Sequence, residues 1–405
     1  MARENRLTED ELKAILAAEV RDSVGSFESG AEDQLASDRR KAMEYYLGEP
    51  FGNEVEGQSK VVLTEVADTI EWMIPALLDP FVAGENIGEF QPVGPEDEEF
   101  AKQATEYVNQ VVLRVDNNGF LVLYDWLKDG LLQKLGIVKI YWEEKEVREK
   151  KTLTGVTEDQ VALLTQDESI EITAATENPT PQGVLYDITF ERRKKVGKVR
   201  IMPVPPEEFL VARRSVTIES SSFKAHRTTQ KAWELIEQGY DEDVVLKASA
   251  SDEHDWNPER VARFSGSDEV GSTSAEIEPF MRDVQVVEAY LHLDWDGDGK
   301  AEFRKIIALG PAFEIVENEE ADDDPFCSFC PIPIPHRLFG LSYADITMDL
   351  QLIKSTVARQ SLDNVYNVNN ARTAINERVD INDMLTRRVG GVVRVSDAGP
   401  VGDAI

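Results

Sequence analysis

The chain has 405 residues, enough for two or three domains with cores of their own. Its 43 Lys and Arg against 77 Asp and Glu give a formal net charge of −34 at pH 7. That excludes a protein that grips nucleic acid by neutralising phosphates, and leaves either one with no such contact or a conduit that must let nucleic acid pass. No stretch approaches 18 consecutive apolar residues, so no membrane-spanning helix and no membrane partner are expected.

The chain opens with Thr8 and Glu11 spaced as a capping box. Leu12, Ile15 and Leu16 then predict a short amphipathic helix over 8–20. A Gly/Ser/Glu linker from Gly25 to Glu32 leads to a second helix, Gln34 to Leu47, ended by Gly48. Ser59 to Leu78 reads as a helix with Val62, Val66, Ile70 and Ile74 on one stripe, stopped by Pro80. After Pro95, four acids in a first turn start a helix over 96–115. Another runs from Phe120 to Leu135 and ends at Gly136. Ile137 to Trp142 then reads as a buried strand followed by charge.

From 147 to 216 the pattern is irregular and strand-like, with segments Ile170 to Thr173, Tyr186 to Phe190 and Lys198 to Met202. Pro203, Pro205 and Pro206 mark a turn before Phe209 to Ala212, and Gln230 to Gln238 is a short helix closed by Gly239. Ser249 to Glu278 has the composition of a long exposed loop or a mobile insertion. Val284 to Leu293 and Glu302 to Leu309 form a hairpin across an acidic turn. Pro331, Pro333 and Pro335 make a stiff strut. Beyond Gly340, Ser342 sits as an N-cap with Asp345 three residues on. No Pro or Gly interrupts Ser342 to Asn370, so that helix could run roughly 40 Å. Val389 to Val395 is a final β-segment bent at Gly390 and Gly391. The fold class is α+β.

Few constellations could carry chemistry. Asp294, Asp296, Asp298 and Gly299 have the spacing of a calcium loop, with Glu302 at its ninth position. The twelfth position, where a bidentate acid belongs, is Lys305, and the flanks are strands, so an acidic hairpin turn is the other reading. Asp129 with Glu143 and Lys145 echoes metal-dependent nucleases, though so short a pattern also arises by chance among 77 acids. Cys327 and Cys330 lack the second pair a zinc site needs. The four histidines are dispersed, and no nucleotide-binding or hydrolase signature occurs, so no cofactor is expected beyond possible calcium. Arg192, Arg193, Lys194 and Lys195 form a basic cluster, either a solvated strand end or a contact with another subunit or a motor.

The long helix has distinct faces. Ile346, Leu350, Ile353, Val357 and Val368 lie on one narrow stripe interrupted by Gln360 and Asn364, and Asp345, Asp349, Thr356 and Asp363 lie on an adjacent face. Such a helix either packs its stripe on its own domain or stands beside copies of itself in a ring.

Four stretches resemble podovirus-type bacteriophage portal proteins, the head-to-tail connectors. They are AMEYYLGEPFGNEVEGQSKVVLTEVADTIEWMIPALL (42–78), GFLVLYDWLKDGLLQKLGIVKIYWEE (119–144), LDWDGDGKAEFRKI (293–306), and PIPHRLFGLSYADITMDLQLIKSTVARQSLDNVYNVNN followed by VDINDMLTRRVGGVVRV. The resemblance follows the family's order and covers most of the chain. It implies an N-terminal arm (1–33), a wing (34–335, helical over 34–136 and β-rich over 137–335), a stem helix with its Pro-rich lead-in (336–371) and a clip segment (372–405). It further implies a homo-oligomeric ring, a dodecamer, at one capsid vertex of the virion, assembled in the host cytoplasm.

In that family double-stranded DNA is packaged through the ring by the terminase large subunit and ejected through it into the tail. Head-tail adaptor proteins, the major capsid protein and scaffolding protein are the further partners implied. On this reading Ile346, Leu350, Ile353 and Val357 pack the stem, Asp345, Asp349, Thr356 and Asp363 are candidates to face the DNA tunnel, and the protein is not an enzyme. The alternative is a divalent-metal-dependent hydrolase using the acidic clusters. The family continues past this point with a second stem helix, so the expectation is a truncated chain or one completed by a separate polypeptide.

Overall fold

The computed structural model describes residues 7–24, 34–84, 86–165, 167, 169–180, 183–249, 262–263 and 278–369, with 380, 382 and 394. Most of the expected loop over 249–278, the linker from Gly25 to Glu32 and the expected clip segment lie outside the described residues.

Helix α1 (Glu9–Asp22) starts on the predicted capping box: the Glu11 N–H donates to Thr8 Oγ1 at 3.4 Å, and the Thr8 N–H donates to Glu11 Oε2 at 2.9 Å. Helix α2 (Gln34–Leu47) ends at Gly48, whose φ of 72° is a glycine conformation. Helix α3 (Glu65–Val82) differs from expectation at both ends. It starts six residues later than Ser59, because side chains of the long helix capture the backbone of the preceding segment. It also runs through Pro75 and Pro80. Pro80 falls in the last turn, where its missing donor removes one bond and the helix stops two residues on.

Helix α4 (Glu98–Glu106) continues into a π-helical run, Tyr107–Asp116. Asn109 Nδ2 donates to the Thr105 carbonyl at 2.7 Å, the acceptor its own amide would use in an α-helix, so the ladder slips by one residue. Helix α5 (Gly119–Gln133) ends where Lys134 turns left-handed, two residues before the predicted Gly136.

The expected short buried strand after α5 is 21 residues long, β1 (Gly136–Val156), buried at its start and again at Val156. It pairs antiparallel with β3 (Gly183–Val204) from Ile137 opposite Val204 out to Val156 opposite Tyr186. Charged residues do not end it, because the ribbon is solvated on both faces and needs no apolar alternation. At its far end helix α6 (Glu158–Thr165) and β2 (Ile170–Thr180) close a small satellite core around Val156, Ile188 and Phe190.

The second sheet is antiparallel, in the order β4 (Phe209–Val211), β5 (Phe223–Lys231), β6 (Asp283–Leu293), β7 (Glu302–Leu309) and β8 (Glu314–Glu320). Alternation along β6 explains its two covers. Val287, Ala289, Leu291 and Leu293 pack with Leu12, Leu16 and Val20 of α1. Val284 and Val286 pack with α7 (Ala232–Glu237) and α8 (Glu242–Ser249). Strand β9 (Phe326–Phe329) joins the first four residues of β1.

The Pro-rich lead-in is not an extended strut. Leu341 N–H donates to the Ile332 carbonyl at 3.0 Å, closing it into a loop. A Cβ on Gly340 would lie 2.1 Å from that carbonyl oxygen, so only glycine fits. The long helix α9 (Tyr343–Asn369) follows, close to its predicted extent.

Candidate functional site

Helix α9 is capped as its sequence dictates. The Asp345 N–H donates to Ser342 Oγ at 3.1 Å and the Ser342 N–H to Asp345 Oδ2 at 2.8 Å, an aspartate doing the work of the usual glutamate. From there the helix docks on α2, α3 and α5 through Ala344, Met348, Gln351, Ser355 and Arg359, all buried.

Below Met348 this inner face is polar. Gln351 Oε1 accepts the Val66 N–H at 2.9 Å, an orphan donor in the first turn of α3, and Gln351 Nε2 donates to the Tyr45 carbonyl at 2.9 Å. Ser355 Oγ accepts the Leu63 N–H at 3.0 Å. Arg359 donates to the Val61 carbonyl, Asn53 and Glu54 at 2.7–2.8 Å, with its guanidinium over the Phe51 ring. The bonds to Val61 and Leu63, with that of Asp363 to the Ser59 N–H, hold 59–64 out of helix, which is why α3 starts late.

The apolar stripe lies on the opposite side, about 180° around the axis at 100° per residue. Ile346, Leu350, Ile353 and Val357 are 51–60 % exposed, and Val368 continues the stripe. Burying polar residues inward while four aliphatics face water is the reverse of an ordinary surface helix. The expectation that the stripe packs on its own domain does not hold.

The four tunnel candidates have separate fates. Asp345 is used in the cap and lies 3.4 Å from the Lys134 ammonium. Asp363 Oδ1 accepts the Ser59 N–H at 2.7 Å, and Thr356 Oγ1 donates to the Leu352 carbonyl at 2.8 Å. Asp349 is exposed, with no hydrogen bond or ion pair among the described residues.

The acidic turn between β6 and β7 brings Asp294, Asp296 and Asp298 together, their carboxylate oxygens within 4.8 Å of one another. Their other contacts are local. Asp294 Oδ2 accepts the Gly299 N–H at 2.9 Å, and Asp296 Oδ1 the Asp298 N–H at 3.0 Å. Glu302 does not join them, since its carboxylate lies 2.8 Å from Arg304. Lys305, at the twelfth position, is held by Glu317 at 2.6 Å. The turn therefore offers three clustered carboxylates to a cation rather than four.

The nuclease-like trio is split between two networks. Glu143 neighbours Lys145, Lys198 and Arg200 at 3.3–3.8 Å, whereas Asp129 lies on α5 beside Arg263 at 3.5 Å. Burial pushes Asp129 up to about 6. Arg263 opposes that rise, and the negative charge of Glu207 adds to it. A carboxyl raised in the fold contributes stability below its unfolded value, and loses it as pH rises from about 4 to 6. Asp129→Asn is therefore expected to gain on the wild type by up to about 3 kcal/mol between pH 4 and pH 7, read by denaturant unfolding at each pH. Cys327 and Cys330 are free thiols, and burial first raises Cys327 above the usual thiol range.

Sequence reading missed Gln351, Ser355 and Arg359. The available signal was their spacing of four, in line with Ala344 and Met348 and opposite the stripe.

A profile of the phage SU10 portal protein family matches residues 12–405, nearly the whole chain. The chain belongs to that family. Portal membership makes it a phage structural protein from a family that is not enzymatic, and implies an oligomeric ring, association with the capsid and a place at the portal vertex of the virion. No helix among the described residues of this portal chain is long and apolar enough to cross a membrane. A search of curated proteins finds no match.

Proposed function

We propose that this chain forms a closed ring, a dodecamer, through which double-stranded DNA enters the capsid and later leaves it. The observation that carries the reading is the outward apolar stripe of α9. An aliphatic face about 20 Å long, on a helix whose inner side is fixed by buried polar bonds, has no use in a lone subunit. A neighbouring copy covers it. Closed rings require two unlike surfaces on each subunit, and the chain has a second open apolar face. Phe100, Tyr107, Val111 and Val115 are exposed along α4 and the π-helical run, and Trp72 of α3 is 86 % exposed.

On this reading α9 is the stem, and Asp349 is the acid placed to face passing DNA. Screening over about 8 Å makes only such wall residues matter to the duplex, and repulsion there keeps it from sticking. The described residues contain no nucleotide-binding loop, so packaging force comes from a separate motor, the terminase large subunit. Head-tail adaptors, capsid and scaffolding protein dock on the outer surfaces. The hydrolase alternative has less support, because Asp129 and Glu143 stand in separate networks and Glu302 pairs with Arg304 rather than joining the three aspartates of the β6–β7 turn. Purified chain is expected to give rings with a central hole by negative-stain microscopy; a persistent monomer contradicts the proposal.

A further inference from the structure

We propose that the basic middle of the β1–β3 ribbon clasps the acidic tract Glu319–Asp323 of an adjacent copy of this chain. The inference rests on the ring reading and names one contact within it.

Residues 192–200 carry six cations and no acid, in a chain of net charge −34. The ribbon makes little internal use of them. Arg193 pairs with Glu171 at 2.7 Å, and Lys198 and Arg200 approach Glu143, but Arg192, Lys194 and Lys195 are exposed and form no ion pair among the described residues. Val147 stands opposite Lys194 and Glu146 opposite Lys195, while Glu149, opposite Arg192, is bound to Lys151 at 2.9 Å. That bond is the main cause that holds its carboxyl below the usual range, with Lys194 and Arg192 adding only longer-range attraction. Arg193 also stands directly opposite Arg148, and like charges facing each other across a ribbon destabilise it unless an opposite charge meets them.

The complementary surface lies at the foot of the ribbon. Glu319, Glu320, Asp322 and Asp323 are exposed and also form no ion pair among the described residues. The next residue, Asp324, is held by the buried Lys224, and the Pro325 carbonyl accepts the Ile140 N–H at 2.8 Å, so the tract is pinned beside the start of β1. The basic residues stand opposite 146–149, which at about 3.3 Å per residue is roughly 20–30 Å farther out. That separation exceeds the screening length of about 8 Å. One chain therefore cannot join its own two patches, whereas rotation-related copies present each basic ribbon to the same part of the next subunit.

The test is a charge swap read on assembled protein. Arg192→Glu with Lys194→Glu and Lys195→Glu, and separately Glu319→Lys with Glu320→Lys and Asp322→Lys, should each lower the ring fraction about tenfold at physiological salt. All six positions are exposed, so the subunit should still fold, with an unchanged circular dichroism spectrum. Mixed in one chain, the two sets should restore rings. Lys194→Cys with Asp322→Cys, added to a chain whose Cys327 and Cys330 are Ser, should form disulfides between copies on oxidation.

Normal rings from both reversed sets with no intermolecular disulfide would overturn the contact and leave the ring reading standing. So would a basic-set variant that assembles normally and loses only binding to a labelled duplex, which assigns the strand to nucleic acid. A wild type that forms no ring overturns both.

Discussion

Replacing Leu350 and Ile353 together by Glu is expected to abolish ring assembly while leaving the melting temperature of the isolated subunit nearly unchanged. Both side chains are more than half exposed in the subunit, so their charges would stay hydrated there. Against a neighbouring helix the same carboxylates would be buried without partners, at several kcal/mol each. Every interface of a ring carries the pair, so the penalty recurs all the way round. Sedimentation velocity reads the assembly and calorimetry the fold. A large loss of melting temperature with rings intact would mean that the stripe packs within its own subunit after all.

The opposite face should behave in the opposite way. Gln351→Leu keeps the volume but leaves the Val66 N–H and the Tyr45 carbonyl buried without partners. Each unsatisfied group costs about 1–3 kcal/mol, so a loss of about 2–4 kcal/mol is expected in denaturant unfolding of the helical layer. Rings formed at low temperature should persist, because Gln351 faces inward. A change under about 0.5 kcal/mol would show that α9 is held mainly by Ala344 and Met348. The two experiments separate what fixes the stem helix to its subunit from what joins subunits.

Much of this arrangement was legible in the sequence, for reasons that can be named. Local signals carried α1, α2 and α9, whose caps are written in Thr8 with Glu11, in Gly48 and in Ser342 with Asp345. The β6–β7 hairpin followed from its alternation and acidic turn. What was not legible depended on contacts distant in sequence. Nothing near Ser59 says that Asp363 and Ser355 will take the backbone bonds a helix would need there.

The ribbon was underestimated because a strand solvated on both faces has no apolar period to read. Periodicity revealed the stripe on α9 but not its direction. Direction came from Gln351 and Arg359, whose polarity suggests water and whose partners are buried backbone. The candidate tunnel residues show the same limit: Asp345, Asp349, Thr356 and Asp363 share a face in sequence, yet three of the four are engaged within the subunit.

The central claim is that the outward stripe of α9 is the surface on which copies meet around a channel. A cryo-electron reconstruction of the purified assembly tests it most directly. The account predicts a closed ring in which Ile346, Leu350, Ile353 and Val357 are covered by the adjacent copy and Asp349 borders the central opening. A ring in which those four side chains stay open to solvent, or no ring at all, would contradict it.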